Sequence, residues 1–496
     1  MNTSEKTAIV IGSGIAGIAI SIRLALKGYK TIVYEKNSYP GGKLSHFSLG
    51  DYQFDAGPSL FTQPENIKAL FDLAGEEMES YFTYTPQPLA CKYFFEDGEV
   101  LNAYTNPVDF VQELHTVLKE DKKVINDYLN SAEALYNNVG EIFLNNSIHS
   151  TSFLSKINWK KTLNSVRWKH LFHSMNRVNS SIFKNKKTTQ LFNRYATYNG
   201  SNPYKAPAML NMIAHLEHSQ GTYYPKGGMI SITNALVELA EKKGVKFFYN
   251  KKVDSIIKNG NQVVGVQIDG EQHLSSIVVS NMDVYYTYQN LLQQTKQAKK
   301  IIKQERSSSA LIFYWGIKKV FPELSLHNIL FSKNYKEEFD HLFSNTDIYE
   351  DPTIYINITS KCEPGIQAPL NSENWFVMVN APIHKGQDWS AQVDRIRNII
   401  MAKIDRMLGT SLKDYIEVES VLTPPMIETK TSSFQGSLYG TSSNTKWAAF
   451  LRHPNYNHQF KNLYFVGGSV HPGGGIPLCL RSAAITSELI SKNYEH

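Results

Sequence analysis

Residues 7–43 read TAIVIGSGIAGIAISIRLALKGYKTIVYEKNSYPGGK. Positions 8–11 are a short apolar, β-branched run of the kind that fills a buried parallel strand. The run breaks into Gly12-Ser13-Gly14-Ile15-Ala16-Gly17, an amphipathic helix is predicted to about residue 27, and a second strand at 31–34 is closed by Glu35. In this setting Gly12 permits the tight turn, Gly14 lets backbone approach a pyrophosphate, and Gly17 lets helix and strand pack closely. The phosphates would meet the positive end of the helix, and Glu35 would accept hydrogen bonds from ribose hydroxyls.

Two further turns follow closely. Gly41-Gly42 in YPGGK offers a second close backbone approach, and YQFDAGP at 52–58 is a short strand running into a tight loop. A nicotinamide enzyme would continue into another crossover helix here. Two loops in its place point to a larger cofactor threaded under more backbone, which favours FAD. Helix is predicted at 64–74, strands within 82–104, and helices at 109–118, 122–139 and 162–176. Helix-then-strand alternation returns over 221–283, with a helix at 229–243 and strands at 244–249, 262–268 and 277–280. Strands at 310–317 and 375–380 stand out from a mixed stretch. The last block repeats the logic of the first: a strand into Gly467-Gly468, the turn HPGGGIP at 471–477, and a helix from about 478 to 491.

At 496 residues the chain can build two or three domains. Cys91, Cys362 and Cys479 are odd in number and far apart, which argues against a disulfide framework or zinc site and suits a reducing compartment. Residues 1–6 lack a signal-peptide apolar region, and the apolar run at 8–26 holds three glycines and Arg23, so no membrane span is expected. The formal net charge of +6 is concentrated: between Ile142 and Leu216 there is no Asp or Glu, but eleven Lys or Arg, interleaved with Phe153, Trp159, Trp168, Phe172 and Phe183. A solvated basic face is one reading, and nucleic-acid binding has no recognition motif beside it. A helical surface lying on anionic lipid is the other, since Lys/Arg with Trp and Phe is the mix such surfaces use.

Taken together these stretches resemble flavin-dependent carotenoid desaturases of the phytoene-desaturase type, within the amine-oxidase-like flavoproteins. The resemblance is carried by GSGIAGIAI (12–20), YEKNSYPGGK (34–43), FDAGPSLFTQP (54–64), HLEHSQGTYYPKGGM (215–229), VVSNMD (278–283) and NLYFVGGSVHPGGGIP (462–477), and within the family it is nearest to flavobacterial hydroxycarotenoid 3,4-desaturases. It implies an α/β fold: a Rossmann-like FAD domain (1–80 with 215–290 and 455–496), an α+β substrate domain (81–106 with 291–454) and a helical, basic, membrane-facing subdomain (107–214). It places Gly12, Ser13, Gly14, Ile15, Ala16 and Gly17 at the FAD pyrophosphate, and Glu35 with Lys36 at the adenosine ribose. Gly42, Lys43 and Leu44 would line the cofactor, with Gly57, Pro58, Ser59 and Leu60 nearer the flavin ring. Val253 would use its backbone at the adenine, Gly468 and Ser469 would meet pyrophosphate or ribitol, and Gly475, Ile476 and Pro477 the flavin edge. Lys43 stands where arginine is more frequent and Ser469 where many relatives have an acid.

The activity implied is removal of two hydrogens from a C40 carotenoid, with a hydride passing to flavin N5. A quinone or oxygen would be the electron acceptor, and the chain would sit on the cytoplasmic face of the membrane. No metal and no catalytic residue are implied. His215, Glu217 and His218 are candidates for assisting proton loss, although such residues are more often structural. A phytoene desaturase, a carotenoid isomerase, an amine oxidase and a non-enzymatic isoprenoid-binding protein remain open.

Overall fold

The computed structural model describes residues 6–150, 153, 155, 168–445, 448 and 452–494. The opening stretch forms strand β1 (Thr7–Ile11), helix α1 (Ile15–Leu26) and strand β2 (Lys30–Tyr34). Chain from far downstream completes the sheet with β3 (Lys246–Phe248), β4 (Ile277–Ser280) and β5 (Leu463–Phe465). Among the described residues this sheet has five strands in the order β5-β4-β1-β2-β3, all pairings parallel. A parallel sheet needs cover on both faces, which explains the near-continuous apolar runs in β1 and β4. On one face α1 packs with α2 (Ile230–Lys242) and α3 (Ile476–Tyr494), and Ile18, Ile22, Leu236, Leu239, Ala483 and Ile490 join Val10 and Val279 in one core. On the other, Ile9, Ile11 and Val278 pack against Ile256, Val263 and Val266 of a small antiparallel sheet (Ser255–Asn259, Gln262–Ile268, Glu271–Leu274).

A second sheet, of seven strands among the described residues, runs in the order Ile416–Leu422, Ser309–Ile317, Glu373–Ala381, Ile354–Ile358, His327–Leu330, Leu89–Phe94 and Val100–Tyr104. Alternation along Ser309–Ile317 separates its two faces. Leu311, Phe313, Trp315 and Ile317 meet Ile396, Ile400 and Ile404 of the helix Trp389–Leu408, and Trp315 stands opposite Trp375. Ile312 and Tyr314 turn the other way, toward the large cavity.

Helices packed over Tyr93 and Phe331 form the remaining layer. Asn106 caps Pro107–Leu118 by accepting the Val108 N–H at 2.9 Å, and Asp121 caps Lys122–Leu135. The predicted helix 122–139 instead passes into a π turn at Tyr136–Gly140 and ends as Glu141–Asn145. The predicted helix 162–176 is interrupted. Trp168–Phe172 stops, and Met175–Ile182 starts afresh because Ser174 Oγ accepts the Arg177 N–H at 3.3 Å; residues 162–167 lie outside the described residues.

The basic stretch also divides. Arg177, Lys184, Lys186 and Lys205 are exposed, as is Phe172. Lys187 is paired with Asp97 and Glu99, Arg194 is buried, and Phe183 belongs to the core. Lys156, Lys160, Lys161 and Arg167 lie outside the described residues. No helix among the described residues is long and apolar enough to cross a membrane.

Candidate active site

The first turn of α1 opens with Gly14, whose lack of a side chain leaves the helix's leading N–H groups uncapped and facing outward. Behind the turn, Glu35 is almost fully buried. Its carboxylate accepts from Ser13 N (2.8 Å), Ser13 Oγ (3.0 Å) and Asn37 N (2.9 Å), which fixes the acid at the end of β2 with lone pairs to spare. Gly41 bridges to Gly14, so the second glycine turn lies directly beside the first. Asn281, at the end of β4, fills the gap between the opening and closing motifs. A Cβ on Gly14 would meet its Nδ2 at 2.6 Å, and a Cβ on Gly467 its Oδ1 at 2.6 Å.

Next to these turns stand buried cations with too few anions. Lys43 donates to the Leu438 carbonyl at 2.7 Å, and burial pushes its ammonium down to about 8 although Asp283 opposes the shift. Arg306 contacts Asp283 at 2.5 Å through Nη2, while its Nε and Nη1 have no hydrogen-bond partner among the described residues. Arg452 donates to the Tyr439 carbonyl at 2.8 Å, and burial, with repulsion from Arg306, lowers its guanidinium to about 10. Residues 424–440 are tied across this wall: Lys36 Nζ reaches the Thr429 carbonyl (2.7 Å) and Ser432 Oγ (2.8 Å), and Phe434 lies under the Arg306 guanidinium. Uncapped helix N–H groups, a ribose-height acid and uncompensated buried cations together fit the phosphates and polar edge of FAD.

A cavity of about 690 Å³ opens from the glycine turns into the interior. One wall is apolar, with Val139, Gly140, Phe143 and Leu144 from the π turn and its continuation facing Met209 and Ile213. Bulges of this kind re-aim side chains at functional sites. A polar corner interrupts it. Arg194 Nη2 lies 2.8 Å from both oxygens of Glu217, which also accepts from Tyr195 Oη (3.0 Å) and Tyr198 Oη. In the same lining, Ser59 Oγ is 2.7 Å from Tyr355 Oη, which is 2.8 Å from His327 Nδ1.

The family described as flavin containing amine oxidoreductase matches residues 15–491. The chain belongs to that family. It is 50% identical over 486 residues to a 1-hydroxycarotenoid 3,4-desaturase of Flavobacterium sp. (strain P99-3), covering 98% of this chain and 99% of the relative. A 4,4'-diaponeurosporene oxygenase of Staphylococcus haemolyticus is 31% identical over 494 residues, covering 98% and 97%. Among solved structures, an oxidoreductase from Methanosarcina mazei superimposes with a TM-score of 0.65 at 14% identity over 98% of this chain and 100% of that one. Putrescine oxidase bound to putrescine gives 0.63 at 12% identity over 98% and 99%; at such identities the likeness is one of fold.

This flavin amine oxidoreductase is therefore an FAD-dependent enzyme, and the resemblance to flavobacterial hydroxycarotenoid desaturases read from its motifs agrees with its relatives. Of the residues expected at the cofactor, Gly42, Lys43, Gly57, Pro58, Ser59 and Leu60 line the cavity on one side. Gly475, Ile476 and Pro477 line it on the other. Gly12, Ser13, Gly14, Ile15, Ala16, Gly17 and Glu35 form the turn behind it. Gly468 packs against Gly474, and Ser469 Oγ accepts the Val284 N–H at 3.1 Å. Three side chains point elsewhere. Leu44 enters the α1–α2 core, Val253 joins Tyr34 in the core on the opposite face of the sheet, and Lys36 reaches for residues 429–432.

Of the three candidates for assisting proton loss, only Glu217 lines the cavity, and it is saturated by Arg194 and two tyrosines. His218 is stacked on Phe110 at 3.7 Å, and His215 lies beside Tyr136. Sequence reasoning missed Asn281, Arg306 and Arg452 as neighbours of the glycine turns. The VVSNMD motif contained Asn281 without a spacing that named it, and Arg306 and Arg452 lie outside the quoted motifs.

Proposed function

We propose that this chain introduces the C3=C4 double bond into a 1-hydroxycarotenoid. The observation that carries the reading is the apolar cavity continuous with the glycine turns, in a chain half identical to a desaturase of that substrate class over nearly its whole length. FAD supplies the two-electron acceptor for a hydride, here from the allylic C4–H. The polyene delocalises the positive charge left on the substrate, the C3 proton departs, and its electron pair forms the new bond. The protein's part is alignment and dryness. Gly12–Gly17, Glu35, Asn281 and the Lys43–Arg306–Arg452 wall would hold the dinucleotide, loop 57–60 and residues 475–477 would lie toward its ring, and the π-turn wall would exclude water from the polyene. Lys36, Leu44 and Val253 support this arrangement through backbone or packing. A quinone or oxygen would be the final electron acceptor. In this reading 1–80, 215–290 and 455–496 form the cofactor body, 81–106 with 291–454 the substrate body, and 107–214 the membrane-facing layer.

Anaerobic incubation with phytoene and with a hydroxylated γ-carotene tests the reading. Bleaching of the flavin and a product lighter by two hydrogens are expected only with the hydroxylated, already conjugated substrate. Efficient phytoene conversion overturns the substrate class. An added oxygen points to the chemistry named for the staphylococcal relatives, unchanged mass to an isomerase, and a purified protein without flavin to a binding protein.

A carotenoid dissolves in the bilayer, so we also propose that the enzyme rests on anionic membrane through residues 142–205, a stretch in which Phe172, Lys184 and Lys186 are exposed. Each lysine near such a surface contributes about 1 kcal/mol. Changing Lys156, Lys160, Lys161, Lys184 and Lys186 to glutamine should lower co-sedimentation with anionic liposomes by more than about tenfold, while neutral liposomes show little difference. Equal sedimentation of variant and wild type would sink the membrane assignment.

A further inference from the structure

Residues 424–436 leave the second sheet, reach the end of β2 and return. The excursion starts just after the strand Ile416–Leu422, where Pro424 opens the short helix Pro424–Thr431. It closes at Gly436, where an added Cβ would lie 2.4 Å from the Pro424 carbonyl oxygen, so the two ends touch. A closed outline of this length, within about 6–16 residues, is an Ω-loop, a compact form that is frequently functional. Its base is fixed on the side of the second sheet: Ser309 Oγ donates to the Gly436 carbonyl at 2.7 Å, and the His384 N–H to the Gln435 carbonyl at 2.9 Å. Tyr286 Oη donates to Glu428, whose carboxylate also accepts the Gln435 N–H at 2.9 Å, and Phe434 stacks on Tyr285 at 3.7 Å.

The tip is held differently. Lys36, directly after Glu35, donates from Nζ to the Thr429 carbonyl at 2.7 Å and to Ser432 Oγ at 2.8 Å. Asn37 Nδ2 donates to the Lys430 carbonyl at 3.2 Å. The Thr429 carbonyl belongs to the last turn of its helix, the end at which a cation is favoured. Apolar burial there is slight, for only Pro424 and Ile427 of the helix are buried, while Met426, Thr429 and Lys430 are exposed. A segment held by polar side chains over so little packing opens at low cost. The same tip borders the cofactor's place, since Ile427, Lys430 and Thr431 line the cavity together with Tyr39, Gly42 and Lys43.

We propose that loop 424–436 is a flap over the dinucleotide and that Lys36 is its latch, so that FAD enters and leaves only when the contacts from Lys36 to Thr429 and Ser432 break. Lys36 is then a positioning residue that acts on FAD through the loop, in place of the direct ribose contact expected from the motif. The flap acts on FAD whatever substrate occupies the cavity.

A latch and a direct contact differ in kinetics. Losing a group that grips FAD speeds release alone, so the exchange rate and the dissociation constant rise together. Losing a latch enlarges the open fraction, which speeds entry and release alike and leaves the constant nearly level. The test follows exchange of bound FAD for isotopically labelled FAD in the holoenzyme, and the dissociation constant on dilution, for wild type, Lys36→Met, Lys36→Arg and Asn37→Ala. Lys36→Met removes two charge-assisted hydrogen bonds and should speed exchange about 10-fold or more, with the constant held within about threefold. Lys36→Arg, which keeps a charged donor, should restore much of the slow exchange, and Asn37→Ala should give a smaller acceleration. Trypsin should cut the holoenzyme after Lys430 faster in Lys36→Met than in wild type. Exchange rate and dissociation constant rising in parallel would assign Lys36 to the cofactor itself and overturn the latch, as would unchanged exchange in Lys36→Met. Should Lys36→Met lose its flavin during purification, Asn37→Ala decides by the same comparison of rate with constant.

Discussion

Gly17→Val is expected to give a colourless protein. A Cβ at this position would lie 2.1 Å from the Gly12 carbonyl oxygen and 3.2 Å from its carbon, with Asn281 Nδ2 at 3.1 Å. The nearest of these are backbone atoms of the turn itself, so no rotamer relieves the overlap; α1 must move off β1 and carry its uncapped N–H groups with it. Overpacking at a site that cannot relax costs about 3 kcal/mol, on the order of 100-fold in flavin affinity. Flavin absorbance per protein after gel filtration checks this, with the urea midpoint recorded alongside. Wild-type flavin content and affinity in the variant would show that the glycine turn is not part of the cofactor's grip.

The second large effect is expected at Arg194→Met. Both partners are buried, Glu217 almost completely, and the guanidinium is the cation paired with the carboxylate among the described residues. Removing one member of such a pair costs about 3–5 kcal/mol, because the charge left behind has no compensation. Its pH dependence has a definite sign. In the wild type, burial opposes ionisation of Glu217, but Arg194, with His218 and Tyr198, outweighs it and holds the carboxyl below its ordinary range. Its contribution is therefore present at neutral pH and is lost as pH falls through that lowered value. Without Arg194, burial is opposed by His218 and the tyrosine hydroxyls, the folded-state value rises, and acidification favours the folded form. The gap between the two proteins in urea denaturation should accordingly be wide at pH 7 and narrower near pH 5. Adding Glu217→Gln to the variant should recover much of the loss at pH 7, and a double variant no more stable than Arg194→Met would refute the pair's role.

The cofactor turn was legible from residues 7–43 because every requirement there is local: strand, turn, helix start and terminal acid follow one another within one crossover. The last motif was legible for the same reason. Arg194 was not. In the chain it is one more cation in a run without acids, and its partner stands 23 residues away on another helix. Nothing in a linear reading separates a buried guanidinium from a solvated lysine when the compensating charge lies outside the run. The helix breaks at 136–140 and at 174 were missed because apolar spacing continues across them, while a π turn in one case and a serine cap in the other redirect the backbone.

The order in which the parallel sheet is threaded has a consequence for synthesis. Its middle strand, β1, leaves the ribosome first, but β4 must wait for residues 277–280 and the outer strand β5 for 463–465, with α3 still to come. For most of its translation the nascent chain holds a glycine turn with one finished neighbour and apolar flanks awaiting strands not yet made. Closure of the sheet is among the last events of folding, and long-range pairing of this kind is slow and exposes unpaired edges meanwhile. A chain that stops short of β5 has read out the nucleotide motif completely and still lacks the far side of its socket.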